Sequence, residues 1–479
     1  MISFIISLLV LIVGYFLYGG LVQWAFGANK ERKTPAYTHS DGVDYVPMSW
    51  WRAFLIQFLN IAGLGPIFGA IMGAMYGTAS FIWIVLGTIL AGATHDYVSG
   101  MLSVRNGGAS LPEIVGQQLG LGVKQVMRGF TIILLVLVGA VFVSGPAGLL
   151  HGIVPSIDTI WWAVIVFAYY IMATLLPIDK LIGRLYPIFG FALLFMAVGI
   201  LLAMFWNHAP IPEISDSISI KHPQNLPIFP MMFVSIACGA ISGFHATQSP
   251  LMARCLTNER LGKRVFYGAM VAEGAVALVW AAAATSFFGS VGGLQQYVAS
   301  LPKTANAAAE VVSLISHSWL GVFGGALAMI GVVAAPITSG DTALRSARLI
   351  VSDFLQVEQK SFLKRIYIAL PLFAACFVLL QVNFDILWRY FAWSNQTLSV
   401  FTLWAVTLWF ARRSDTRKGV SQAYLLTLIP AMFMTAVCTS YILYAPEGFG
   451  VPYWISVCSG VVLACLFAVL FFLFKGKKS

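Results

Sequence analysis

A chain of 479 residues that is 59% hydrophobic and 10% charged, with a mean hydropathy of +0.86, is far from a soluble domain, in which about one residue in four is charged. These values exclude a soluble fold and predict an all-α, polytopic protein whose solvent is the lipid bilayer. The net charge of +10 then reads as membrane topology and not as affinity for nucleic acid.

Residues 1–20 are apolar but lack a basic leading region and a small-residue cleavage site, which predicts a retained first span. Apolar runs of bilayer-crossing length fall near 3–22, 50–76, 79–102, 128–150, 160–177, 185–206, 228–250, 264–288, 318–345, 365–381, 384–410, 421–444 and 452–474, about thirteen spans. With the N-terminus outside, 25 of the 28 Lys and Arg lie in 23–52, 103–128, 178–184, 251–264, 345–365, 411–420 and 475–479. Only Lys221, Lys303 and Arg389 fall elsewhere. Positive residues collect on the cytoplasmic side, so the expectation is an N-terminus outside and a C-terminus inside.

The longest loops are 20 to 30 residues, which predicts a single polytopic domain over 1–479. The outward loops 207–227 and 289–317 read as connectors or as an outer lid. The segment 345–365, with Arg345, Arg348, Lys360, Lys364 and Arg365, reads as a cytoplasmic amphipathic turn at the headgroups. Six cysteines (Cys238, Cys255, Cys376, Cys438, Cys458, Cys465) are scattered without a CxxC pair, so neither a disulfide framework nor a zinc site is indicated.

Two spans are interrupted. The stretch Ile236–Pro250 carries Gly239, Ser242, Gly243, His245, Thr247 and Gln248 inside an apolar run, and Asn60–Pro66 places Gly63, Gly65 and a proline in an earlier one. Unpaired backbone groups in hydrocarbon cost several kcal/mol, so a helix breaks only where protein or a wet cavity covers the break. Close packing through small residues is the bland alternative. Five spans run from 50 to 206 and five from 228 to 410, and by the charge count the two sets enter from opposite sides. That predicts two inverted repeats, each opening with a discontinuous helix, with a site at their interface. Residues 1–49 add an N-terminal helix and loop, and 421–474 add two C-terminal helices.

Several long motifs carry a resemblance. Tyr45-Val-Pro47, Ile61–Ile67, Gly92-Ala-Thr-His-Asp96, Ser103–Glu113, Ala237–Pro250, Tyr267–Glu273 and Ser394-Asn-Gln396 together resemble the carbon starvation protein A (CstA) family over about 45 to 410. The resemblance implies a cytoplasmic-membrane importer of peptides or of pyruvate, induced when carbon is scarce. It also implies kinship with the five-plus-five inverted-repeat symporters of amino acids and sodium. In that superfamily an Ala-x-x-Thr-Ser pattern, here Ala335, Thr338 and Ser339, helps hold Na⁺ together with carbonyls freed at the first break, here from Ala62 to Gly65. Hydroxyls bonded back into their own helix are the alternative.

The titratable residues suggest coupling or gating. His95 and Asp96 lie toward the cytoplasmic end of the third span and read as a proton relay or inner gate, or as a helix-end pair. On a helix adjacent side chains diverge by about 100°, so they cannot both face one partner squarely. Glu273 has no basic residue within a turn, which suits a group that loads and releases a proton; a permanently protonated, structural Glu is the alternative. His245 is a second proton carrier or a ligand for a substrate carboxylate. Asp341 reads as part of an ion site or as a partner of Arg345. Asn60, Gly63, Gly65, Gly239, Ser242, His245, Thr247, Gln248, Asn395 and Gln396 are the substrate-binding candidates, since amides and hydroxyls match peptide groups and helix N-termini match carboxylates.

The leading function is a secondary active transporter importing small peptides, with H⁺ or Na⁺ as the coupling cation and no cofactor beyond such a Na⁺. A pyruvate symporter is the alternative. A membrane enzyme lacks support, for the chain has no HExxH and no GxSxG motif. The three spans outside the repeats could form a homo-oligomer face or brace the bundle.

Overall fold

The computed structural model describes residues 1–41, 45–175, 178–218, 220–302, 306–357, 362–413 and 420–475. Among these the regular structure is helical, and the one extended pairing is an isolated bridge between Met48 and Leu256. That is what a bilayer dictates, because a helix satisfies its backbone groups within one segment.

In chain order the main helices are α1 (Ile2–Phe26), α2 (Trp50–Ile61), α3 (Gly65–Ala74), α4 (Ala79–Arg105), α5 (Leu111–Leu119), α6 (Leu121–Ile153), α7 (Thr159–Leu175) and α8 (Ile178–Trp206). They continue as α9 (Ile228–Ala253), α10 (Glu259–Phe287), α11 (Val291–Ser300), α12 (Ala307–Leu355), α13 (Phe362–Leu379), α14 (Phe384–Arg412), α15 (Leu425–Tyr444) and α16 (Tyr453–Phe474). Among the described residues nine of these are long and apolar enough to cross a membrane, and the pair α2–α3, bent by 60°, makes a tenth. Helix α1 stops where Gly27 turns left-handed (φ 71°) and its N–H closes onto the carbonyls of Gln23 and Trp24.

Burial separates a centre from a rim. The most apolar 18-residue stretch of α4 is 83% buried, and those of α9 and α10 are 78% buried. In α1, α13 and α16 the figure is 22%, and their outward Leu, Ile and Phe side chains make the surface that lipid covers. Helix α12 packs along α6 and α8, α14 lies against α6 and α15, and α15 pairs with α16. The buried polar residues concentrate on α2, α4, α9, α10, α12 and α14.

Two expectations are corrected. The stretch 289–317 is not a plain loop: it contains α11 and the start of α12, which bends at Gly321 (φ 68°). Arg345 and Arg348 do not lie in a turn. Helix α12 runs on to Leu355, and both guanidinium groups are buried, Arg345 bonding the Ala173 carbonyl at 2.5 Å. Lys303 and Lys360 lie outside the described residues.

Candidate functional site

The first break is made by the sequence Ala62-Gly-Leu-Gly-Pro66. In a continuous helix the Gly63 N–H would bond the Leu59 carbonyl; instead it turns to Ile61 (2.9 Å). The freed Leu59 carbonyl is taken by the Ser339 hydroxyl of α12 at 3.0 Å. Ser339 also donates to Ala335 (3.0 Å), and Thr338 donates to Ala334 (3.0 Å) and Ala335 (2.8 Å). Asp341 lies one turn from Arg345, at 3.6 Å. Asn60, at the last turn before the break, is fully buried with neither amide atom hydrogen-bonded. Such a group is costly unless something else binds it.

The second break splits α9. Ala237 adopts φ 40°, a conformation strained for a residue with a Cβ, and Ser242 is extended before the helix resumes over Gly243–Ala253. The Gly239 carbonyl accepts from the Thr88 hydroxyl of α4 (3.2 Å). Asn395 of α14 clamps the restart: its Oδ1 accepts from Phe244 N (2.7 Å) and Ser242 Oγ (3.0 Å), and its Nδ2 donates to Cys238 Sγ (3.0 Å). It therefore caps a helix start from another helix. Gln396 donates to the Phe233 carbonyl (2.7 Å), leaving its Oε1 without a partner. Thr247 bonds back to Phe244 (2.7 Å) and accepts from Gln248 (2.9 Å), whose Oε1 is likewise buried and unbonded.

The two breaks touch. A Cβ on Gly65 would stand 2.2 Å from the Cβ of Cys238, so only glycine admits that crossing. A Cβ on Gly92 would stand 2.2 Å from the Ala240 carbonyl oxygen, which brings α4 equally close.

Four titratable side chains meet beside the second break, all with 0% exposure: His95 and Asp96 of α4, His245 of α9 and Glu273 of α10. Asp96 bridges the histidines, with Oδ1 2.8 Å from His95 Nδ1 and Oδ2 2.8 Å from His245 Nδ1. The other ring nitrogen of His245 lies 3.3 Å from Glu273 Oε2, near enough for an ion pair but without hydrogen-bond geometry. In keeping with the 100° divergence expected between them, His95 and Asp96 do not face one partner: only Asp96 reaches His245, and its other oxygen serves His95. An ionised Asp96 can only accept, which places a proton on each Nδ1. His245 Nε2 and Glu273 then share what remains: imidazolium facing carboxylate, or imidazole facing carboxylic acid. With one proton shared in this way the cluster would carry one net negative charge, and one further proton would neutralise it.

Beyond the breaks lies a cavity of about 560 Å³, lined by Phe68 and Met72 of α3, Tyr76 just after it, Ser235 of α9, and Trp388 and Arg389 of α14, among others. Gln295 of α11 covers its edge by donating to the carbonyls of Met75 (2.7 Å) and Lys221 (3.0 Å), so the segments 207–227 and 289–317 meet over one space. Arg389, an exception to the charge pattern, lines this cavity and pairs with Glu447 at 3.3 Å.

Sequence reasoning named the four titratable residues, His95 and Asp96 as a pair, but did not give the contacts that join them. It missed Thr88, Cys238 and Arg389; for Arg389 the signal was its position on the wrong side of the charge count.

This helical architecture is shared with a solved membrane transporter. Over 91% of this chain and 97% of the other it superposes on a manganese transporter of Eremococcus coleocola with a TM-score of 0.57, at 15% identity, which speaks for the fold alone. The carbon starvation protein CstA family model matches residues 1–146 and 149–319, and the chain belongs to that family. An uncharacterized membrane protein of Haemophilus influenzae is 44% identical, covering 63% of this chain and 95% of its own length. The peptide transporter CstA of Campylobacter jejuni is 30% identical over 56% of this chain and 47% of its own. The pyruvate/proton symporter BtsT of Escherichia coli is 27% identical over 57% and 46%. The chain thus spans about half the length of the latter two relatives.

Proposed function

We propose that this protein is a proton-coupled secondary active transporter that imports small peptides, with Asp96, His245 and Glu273 as its coupling groups. The observation that carries this reading is His245, held between two buried carboxylates immediately after a helix break. A proton arriving at this cluster cancels its charge, so the cluster's interaction with its low-dielectric surroundings changes with loading. Alternating access needs such a bias between states.

On this reading thirteen spans form a bundle in the cytoplasmic membrane, N-terminus outside and C-terminus inside, with repeats at 50–206 and 228–410 crossing at the two breaks. Asn60, Gln248 and Gln396, each with an unbonded buried amide atom, supply contacts for the polar groups of a solute. The roles of Gly63, Gly65 and Gly239 are backbone exposure and close approach. Transport in place of catalysis is supported by the relatives named as transporters and by the fold.

A second substrate, pyruvate, is supported by the relative named a pyruvate/proton symporter. Sodium coupling has one supporting contact, the Ser339 hydroxyl on the Leu59 carbonyl, which puts hard oxygen donors at the first break. Proteoliposomes given labelled dipeptide or labelled pyruvate, under an imposed proton or Na⁺ gradient, test all of this. The expected result is dipeptide uptake driven by the proton gradient and lost in Glu273→Gln. Uptake driven by Na⁺ alone, and kept in Glu273→Gln, would overturn the proton reading.

A further inference from the structure

We propose that the cleft between α1 and the start of α10 binds the headgroup of one anionic glycerophospholipid. The cleft is a cavity of about 570 Å³, large enough for a glycerophosphate group and the first carbons of its chains. Three cations line it, Arg260, Lys263 and Arg264, and no carboxylate does. The nearest acid in sequence, Glu259, faces away: it is buried against Arg105 (3.2 Å) and Arg32 (3.1 Å). None of the three cations has an ion-pair partner among the described residues.

Their placement is fixed and not merely crowded. Lys263 Nζ sits 4.8 Å over the Tyr15 ring, and the Arg264 guanidinium sits 5.1 Å over the Trp50 ring. The Arg260 carbonyl accepts from Gln23 of α1 at 2.9 Å, tying the cationic turn to that helix. Ring contacts hold the side chains by their faces and leave N–H groups for phosphate oxygens.

The occupant is a lipid because of what flanks the cleft. Phe16 (63% exposed) and Trp24 (45% exposed) line it, and Leu17 beside them is 72% exposed on the rim that hydrocarbon covers. A ligand there meets cations at one end and acyl chains at the other, which is an anionic phospholipid at the level of its phosphate. Basic pockets between spans bind such headgroups. The bound lipid would bridge α1, which lies outside the central bundle, to the helix that carries Glu273.

Native mass spectrometry of the intact protein in neutral detergent, titrated with phosphatidylglycerol, phosphatidylcholine or inorganic phosphate, tests the site. The expected result is one saturable phosphatidylglycerol, weakened about fivefold in each of Arg260→Gln, Lys263→Gln and Arg264→Gln, retained in Lys263→Arg and unchanged in the remote Lys364→Gln. Phosphatidylcholine should not compete, and millimolar phosphate should not displace the lipid. Equal affinity in all three single variants, an equal loss in Lys364→Gln, or displacement by phosphate would each overturn the proposal. The single variants decide even where a combined variant does not fold.

Discussion

The two helix breaks use different means to cover similar exposed backbone. At the first, between α2 and α3, the neighbours are neutral: Ser339 takes the Leu59 carbonyl, and Asn60 stands buried with unbonded amide atoms. At the second, in α9, the backbone is capped from outside by Asn395 and Thr88, and the side chains beyond the break are ionisable. A break whose backbone is already satisfied can devote its side chains to charge. A break left with open amides is suited to an uncharged polar contact with a solute. The difference argues for two roles at one crossing, proton handling by the ionisable side chains after the α9 break and solute contact by the open amides of Asn60, Gln248 and Gln396.

The largest expected effect breaks this contrast at its charged end. Asp96→Asn leaves two buried histidines facing an amide in place of a carboxylate, and one-sided removal of a buried ion-pair partner costs about 3–5 kcal/mol. Thermal unfolding in detergent should show a loss of that order, together with loss of proton-driven uptake. A neutral outcome would mean that Asp96 is protonated in the resting protein. Next comes Gly65→Ala, whose new methyl would press on Cys238 and force the breaks apart, an overpacking cost of about 1–3 kcal/mol. Cys238→Gly should relieve it in the double variant, and failure to do so would mean that α2–α3 and α9 do not cross as described. Smaller again is Ser339→Ala at the neutral break, which removes one hydroxyl donor and should cost about 1 kcal/mol. A loss as large as that of Asp96→Asn would erase the distinction drawn between the breaks.

Much of this was legible in the sequence, and the physical reason is local. Gly-x-Gly-Pro and a run of polar residues inside an apolar segment cannot stay continuously helical in hydrocarbon, so both breaks could be placed from composition alone. The charge count constrains the span assignment because a misplaced span would scatter the Lys and Arg. What stayed hidden depends on three-dimensional proximity. Asp96 and His245 lie 149 residues apart, and nothing in either segment says that one oxygen of Asp96 serves His245 while the other serves His95. Asn395 shows the opposite difficulty. An amide that suits a peptide also suits a helix cap, and only the bonds to Phe244, Ser242 and Cys238 reveal which one the fold employs. Arg345 and Arg348 were misplaced because a basic run at a span's end usually marks the headgroups, whereas here α12 continues past it.

The smallest effect lies at the cavity beyond the breaks, where the comparison extends to the closing segments. His222 stacks on Tyr76, just after α3, with ring centroids 4.5 Å apart, and its Nδ1 accepts from the Gln224 N–H. Burial pushes its pKa down to about 4, and Arg389 across the cavity adds repulsion against a charged ring. The ordinary histidine value is about 6.5. As pH falls from about 6.5 toward 4, the opened segment therefore binds a proton that the closed one refuses, so closure weakens across that window and levels off below it. Hydrogen exchange over residues 220–227, expressed as protection relative to the intrinsic amide rate at each pH, should show protection falling between pH 7 and pH 5, and His222→Gln should remove that pH dependence while leaving protection at pH 7 close to that of the parent. Protection that rises on acidification would show the ring gaining a partner when charged, and the cover would then tighten under the same proton gradient proposed to drive uptake.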